Sequence, residues 1–195
     1  MGRRLNEGDD GVDGRAEGRT LRVWDPLVRT LHWSLAIAVG LGWATTEWIV
    51  DWHQPVGYAA LAIVGVRIVW GLVGPRHARF ASFVRGPRAT ARYARQVVGG
   101  RAPRHVGHNP LGGAMVIALF ICVAALALTG WLYTTDRFFG DEVVEIVHET
   151  LAWTLVALAA LHVGGVVFAS RHQRENLIAA MFDGRKRAPR DDDIA

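Results

Sequence analysis

Two histidines fourteen residues apart, His148 and His162, lie in one apolar stretch, and two more, His32 and His53, sit at opposite ends of the first pair of apolar stretches. In a helix of 3.6 residues per turn, fourteen residues complete nearly four revolutions. Both imidazoles therefore point the same way, roughly 21 Å apart along the axis. An ionisable ring among apolar side chains is costly without a partner, so histidines within such helices are candidates for function. Four imidazoles at two depths form the axial ligand set for two stacked b-type haems, each iron held between histidines from different helices. Ligation by two histidines leaves no open iron position, which disfavours oxygen chemistry and favours one-electron relay.

The elements that would hold these histidines follow from hydropathy. Apolar residues make up 51% of the 195. They concentrate in four blocks, residues 31–50, about 55–73, 111–133 and about 143–169. Segments of about 20 apolar residues span a hydrocarbon core of about 30 Å. Arg67 is the only charge in the second block, the third has none, and Glu145 and Glu149 lie near the start of the fourth. A soluble helix bundle needs a polar stripe on each helix, and residues 111–133 offer none. The expected fold class is all-α, an integral membrane four-helix bundle binding two b-type haems over residues 22–183. A disordered tail is expected at 1–21 and a charged tail at 184–195.

Arginine sets the orientation. Residues 74–109 hold eight arginines and no acidic residue, and basic residues also crowd the segments before the first block and after the fourth. The two other connections carry Arg137 against Glu47, Asp51, Asp136, Asp141, Glu142 and Glu145. The positive-inside rule puts both termini and the long middle connection in the cytoplasm, with the chain crossing the membrane four times. The net charge of +4 then reads as attraction to anionic lipid rather than to nucleic acid. Residues 87–98 are expected to form an interfacial helix with arginines toward the headgroups. Asn109-Pro110 is a helix start, with Asn as cap and Pro in the first turn. Cys122 stands alone in an apolar run, and with no CxxCH in the sequence any haem is non-covalent.

Topology then pairs the histidines. His32 and His162 fall at the inner depth, His53 and His148 at the outer. Arg67, fourteen residues after His53, falls near the inner pair and is placed to meet a haem propionate. His108, directly before the third block, is a candidate for propionate or quinone contact. His77 and His105 read as solvated loop residues, and His172 as a cation at a helix C-terminus. Trp33, Trp48, Trp52 and Trp131 read as interfacial rings.

The strings VWDPLVRTLHW, GLVGPRHARF, GHNPLGG, HETLA and LHVGGVVFASRHQRENL resemble those of the bacterial cytochrome b561 family, which is related to the cytochrome b subunits of nickel-iron hydrogenases. The resemblance covers about residues 22–187. It implies a four-helix dihaem membrane cytochrome, with ligands at His32, His53, His148 and His162 and the family's helix-two arginine at Arg67. The function expected is electron relay between the quinone pool and a periplasmic redox partner such as a c-type cytochrome. A superoxide-oxidising quinone reductase is the enzymatic alternative, although net acidic outer loops would repel that anion. A haem-bearing subunit of a hydrogenase-like complex is a further alternative. A histidine-lined metal transporter fits less well, because no acidic residue lies at mid-membrane beside the histidines.

Overall fold

The computed structural model describes residues 20–46, 49–189 and 193–194. Residues 1–19, and with them nearly all of the expected disordered tail, lie outside the described residues, as do Glu47 and Trp48.

Four long helices carry the fold. Helix α1 (Pro26–Ala44) starts where Asp25 accepts a hydrogen bond from Val28 N at 3.1 Å and Pro26 presets the first turn. Helix α2 (Val50–Val73) begins about five residues earlier than the hydropathy suggests. Asp51 in its first turn complements the partial positive charge there. After the short α3 (Phe80–Phe83), α4 (Pro87–Val98) forms at the expected place, with Tyr93 buried and Arg88, Arg92 and Arg95 exposed. Helix α5 (Pro110–Tyr133) opens on the expected cap, Asn109 accepting from Gly112 N at 2.8 Å. Helix α6 (Glu142–Gln173) is capped by Asp141, which accepts from Val143 N and Val144 N. Its 32 residues rise about 48 Å, longer than a hydrocarbon core.

α1, α2, α5 and α6 are long and apolar enough to cross a membrane. Large apolar side chains on each, such as Ile37, Leu72, Ile121 and Leu161, are more than half exposed, a surface suited to lipid rather than water. The core at mid-height is small: Ala38, Ala60, Val64, Cys122, Val123 and Leu155. Close backbone packing joins α1 to α2, α2 to α5 and α5 to α6, whereas α6 meets α1 and α2 through side chains, Trp153 lying 4.8 Å from Trp43 between ring centroids.

The chain ends are the main departure from the sequence reading. Strand β1 (Thr20–Arg22) pairs antiparallel with β2 (Arg185–Arg187), with Leu21 opposite Lys186. The short helix α7 (Leu177–Asp183) leads into β2 through Gly184 at φ 80°. A Cβ there would lie 2.6 Å from the Trp24 carbonyl, so glycine is required for both reasons. Residues 184–189 and 193–194 are therefore folded rather than a solvated charged tail, and residues 20–22 do not belong to a disordered one. The physical reason is mutual satisfaction of charge. Arg104 meets Glu175 at 3.0 Å and Asp193 at 2.5 Å, and Lys186 lies 3.7 Å from Glu175. Lys186 also donates to the carbonyls of Val106 (2.9 Å) and His105 (3.3 Å). This end of the bundle, the terminal end, lies opposite the hairpin end, where α1 turns into α2 and α5 into α6.

Candidate functional site

The four histidines converge as two pairs. His32 of α1 and His162 of α6 lie toward the terminal end, with ring centroids 6.2 Å apart and ring planes at 53°. His53 of α2 and His148 of α6 lie toward the hairpin end, 6.1 Å apart at 73°. A metal ion sits about 2 Å from each ligating imidazole nitrogen. Two rings bound on opposite sides of one ion thus have centroids roughly 6 Å apart, so both spacings fit. The mid-height core, including Leu155 halfway between His148 and His162, separates the two levels.

The pairs differ in what lies behind the rings. His53 Nδ1 is 2.9 Å from the Gly42 carbonyl and 3.3 Å from Thr45 Oγ1. His148 Nδ1 is 2.8 Å from Thr129 Oγ1. His32 Nδ1 is enclosed without a hydrogen-bond partner among the described residues.

Arg67 is buried at 7% exposure, its guanidinium over the Phe80 ring at 5.3 Å, and one of its terminal nitrogens is enclosed with no hydrogen-bond partner among the described residues. Gly71, one turn on, makes this stack possible, since a Cβ there would lie 2.2 Å from the Phe80 ring. An enclosed guanidinium nitrogen without an acceptor is costly, and an anionic group bound beside it would remove that cost.

His108 is held between Trp24 and Phe83, at 4.6 and 4.5 Å between ring centroids, and its Nδ1 is enclosed without a hydrogen-bond partner among the described residues. Burial, with Arg67 and Lys186 adding to it, pushes its pKa down to about 3, so the ring is neutral at ordinary pH. His105 is not the solvated loop residue expected. It lies edge-on to Tyr93 at 5.2 Å, its backbone pairs with Ile194, and burial holds its pKa below the usual value. His77 is half-buried, and burial followed by the charge of Arg76 lowers its pKa too. His172 stacks on Phe168 in the last turn of α6. Trp52 and Trp131 are exposed, as interfacial rings would be, whereas Trp33 stacks on Phe182 and donates to the Met181 carbonyl. Cys122 is free and buried.

The sequence reading did not single out Thr45, Thr129, Trp24, Phe80 or Phe83. A threonine in the closing turns of a helix is an ordinary residue, and only its position behind an imidazole distinguishes it. Asp25 carried a stronger signal as a cap directly before Pro26, and in the fold it also accepts from Trp70 Nε1 at 3.3 Å.

Apolar membrane-length helices that bring imidazoles together in two pairs at two levels describe a helical membrane cytochrome b. The sequence pattern of prokaryotic cytochrome b561 matches residues 23–184, and the chain belongs to that family. It is thus a membrane electron-transfer protein that binds b-type haem. None of the curated proteins compared with the chain matches it.

Proposed function

We propose that the protein is a dihaem cytochrome b of the bacterial inner membrane that relays single electrons between the quinone pool and a periplasmic redox partner, such as a c-type cytochrome. The observation that carries this reading is the pair of facing imidazole couples, 6.2 and 6.1 Å apart, at two levels of one bundle. His32 and His162 would hold the inner haem, His53 and His148 the outer. Bound haem supplies a one-electron ferric–ferrous couple. The four imidazoles would hold it in place. Arg67 would offer its free guanidinium nitrogen to a propionate of the inner haem. His108, neutral and enclosed between two aromatic rings, would offer Nδ1 to a propionate or a quinone.

Orientation rests on charge. The terminal end collects the arginines, and the pairing of β1 with β2 is consistent with both ends of the chain lying on one side. The hairpin end carries Asp51, Asp136, Asp141, Glu142 and Glu145 against Arg137, a surface that suits a basic protein partner. The test is a reduced-minus-oxidised spectrum of the purified protein with haem quantified per chain and quinol as reductant. Two b haems per chain, reduced by quinol, are expected. A ratio near one removes one pair from the account, and two haems inert to quinol remove the quinone.

A further inference from the structure

The two hairpins of the bundle carry the same small device at the same end. Thr45, at the close of α1, turns its hydroxyl back to the carbonyls of Leu41 (2.8 Å) and Gly42 (3.1 Å). Thr129, in α5, turns its hydroxyl back to the carbonyls of Ala125 (3.0 Å) and Leu126 (3.1 Å), the same four- and three-residue steps. Each threonine then backs the histidine that opens the next long helix. Thr45 and the Gly42 carbonyl face His53 Nδ1, and Thr129 faces His148 Nδ1 at 2.8 Å.

A hydroxyl has one proton, and in both threonines it is committed to the preceding turn. What remains for the ring is a lone pair, and the Gly42 carbonyl offers nothing else. Both rings are therefore held with the proton on Nδ1 and the lone pair on Nε2 free to ligate. Gly130 adds to the fit, since a Cβ at that position would lie 3.3 Å from His148 Cε1. Helix α5, which supplies no histidine of its own, thereby orients one. The inner pair has no counterpart: neither His32 Nδ1 nor the His162 ring has a hydrogen-bond partner among the described residues.

We propose that Thr129 and Thr45 are positioning residues that fix the tautomers of His148 and His53 and hold the reduction potential of the outer centre below that of the same centre without them. This rests on reading His53 and His148 as axial ligands. The cause is ligand basicity: accepting a hydrogen bond from Nδ1–H makes the far nitrogen a stronger donor. A stronger donor favours the more positive ferric iron. Reduction there adds one electron and breaks no ligand bond, so the hydrogen bond acts on the potential alone.

The test is a potentiometric titration of the haem-loaded protein in four forms: wild type, Thr129→Val, Thr129→Ser and Thr45→Val. Valine keeps the shape and removes the hydroxyl, while serine returns it. One net hydrogen bond is worth roughly 0.5–1.5 kcal/mol, about a two- to tenfold change in an equilibrium. The bond is made in both oxidation states and only its difference between them reaches the potential, so Thr129→Val is expected to raise the outer potential by up to about 20–60 mV, at 59 mV per tenfold for one electron. Thr129→Ser stays near wild type. Thr45→Val raises the outer potential in the same direction, by an amount limited by the Gly42 carbonyl, which still holds His53 at 2.9 Å. The inner potential stays put in all four. An unchanged outer potential in Thr129→Val, equal shifts in both centres, or a serine variant that behaves like valine overturns the proposal. Haem content of His148→Ala, measured alongside, separates the two failures: if that variant keeps both haems, the ligand reading itself is wrong, and if it loses one, only the threonine proposal is at stake.

Discussion

Replacing Arg104 by Met should release the terminal end of the bundle while leaving the four long helices in place. Arg104 is 8% exposed. Its guanidinium meets both Glu175 oxygens at 3.0 Å, Asp193 at 2.5 Å and the Arg187 carbonyl at 2.9 Å. The side chains of Glu175 and Asp193 are 9% and 3% exposed, so water replaces little of what is lost. The Arg187 N–H still donates to Glu175 at 2.6 Å, and Lys186 at 3.7 Å from Glu175 and Arg187 at 4.0 Å from Asp193 remain, but none of these replaces the guanidinium that bridges the two carboxylates. Removing one partner of a buried ion pair costs about 3–5 kcal/mol. Because this cluster ties β1, β2 and the segment before α5 together, the loss appears as local opening rather than global unfolding. Amide exchange in peptides covering residues 20–24 and 184–188 should accelerate by about 150- to 5,000-fold, or reach full exposure. Hydrogen-exchange mass spectrometry in detergent measures it. Replacing Arg104, Glu175 and Asp193 together by apolar residues should recover much of the protection, since an apolar cluster does not suffer from an unpaired charge. Less than tenfold acceleration in Arg104→Met would refute the reasoning, and so would a triple variant worse than the single one.

Other outcomes follow from the site and its surroundings. His53→Ala or His148→Ala should remove the outer haem and keep the inner, and His32→Ala or His162→Ala the reverse; loss of the same haem from His32 and His148 variants would contradict the pairing, and haem quantification with low-temperature spectra decides it. Arg67→Leu should lower the inner potential, because a cation near the iron favours the less positive ferrous state, while the outer potential, roughly 21 Å away by helix rise, moves much less. Burial lowers the Lys186 pKa to about 8 from the ordinary 10.5. Between pH 8 and 10.5 the unfolded chain then binds a proton that the folded one has lost, so stability rises with pH across that window. Thermal unfolding should show this rise in the wild type and not in Lys186→Met.

The spans were legible because their signals are local. Residues 111–133 lack any charge, and Asp25-Pro26, Asn109-Pro110 and Asp141 carry start signals that need no tertiary context. The fourteen-residue spacing of His148 and His162 was legible for the same reason, since helix periodicity alone puts both rings on one face. The terminal end was not legible. Arg185, Lys186 and Arg187 look like a solvated run until Glu175, eleven residues before Lys186 in the link between α6 and α7, and Asp193 are brought beside Arg104. Lys186, 4% exposed, is buried only because three segments distant in sequence close over it. Thr45 and Thr129 were hidden differently: their meaning lies in a neighbouring helix, and nothing in the local sequence marks a hydroxyl that faces an imidazole.

The thin core at mid-height has a consequence for charge movement. Ala38, Ala60, Val64, Val123 and Leu155 cannot carry a proton, and the thiol of Cys122 donates to the Leu151 carbonyl. Among the described residues of this core, none but the Cys122 thiol carries an exchangeable side-chain proton. In the proposed relay an electron stepping between the pairs would therefore cross alone, and any proton released or taken up by a quinone would be exchanged on the side where the quinone sits. Each turnover of such a relay is electrogenic. Moving one charge across the full membrane works with or against about 2.3 kcal/mol per 100 mV, so the transmembrane voltage enters the balance between the two centres directly. Turnover in sealed vesicles should accordingly respond to an imposed potential in a direction set by which end receives the electron.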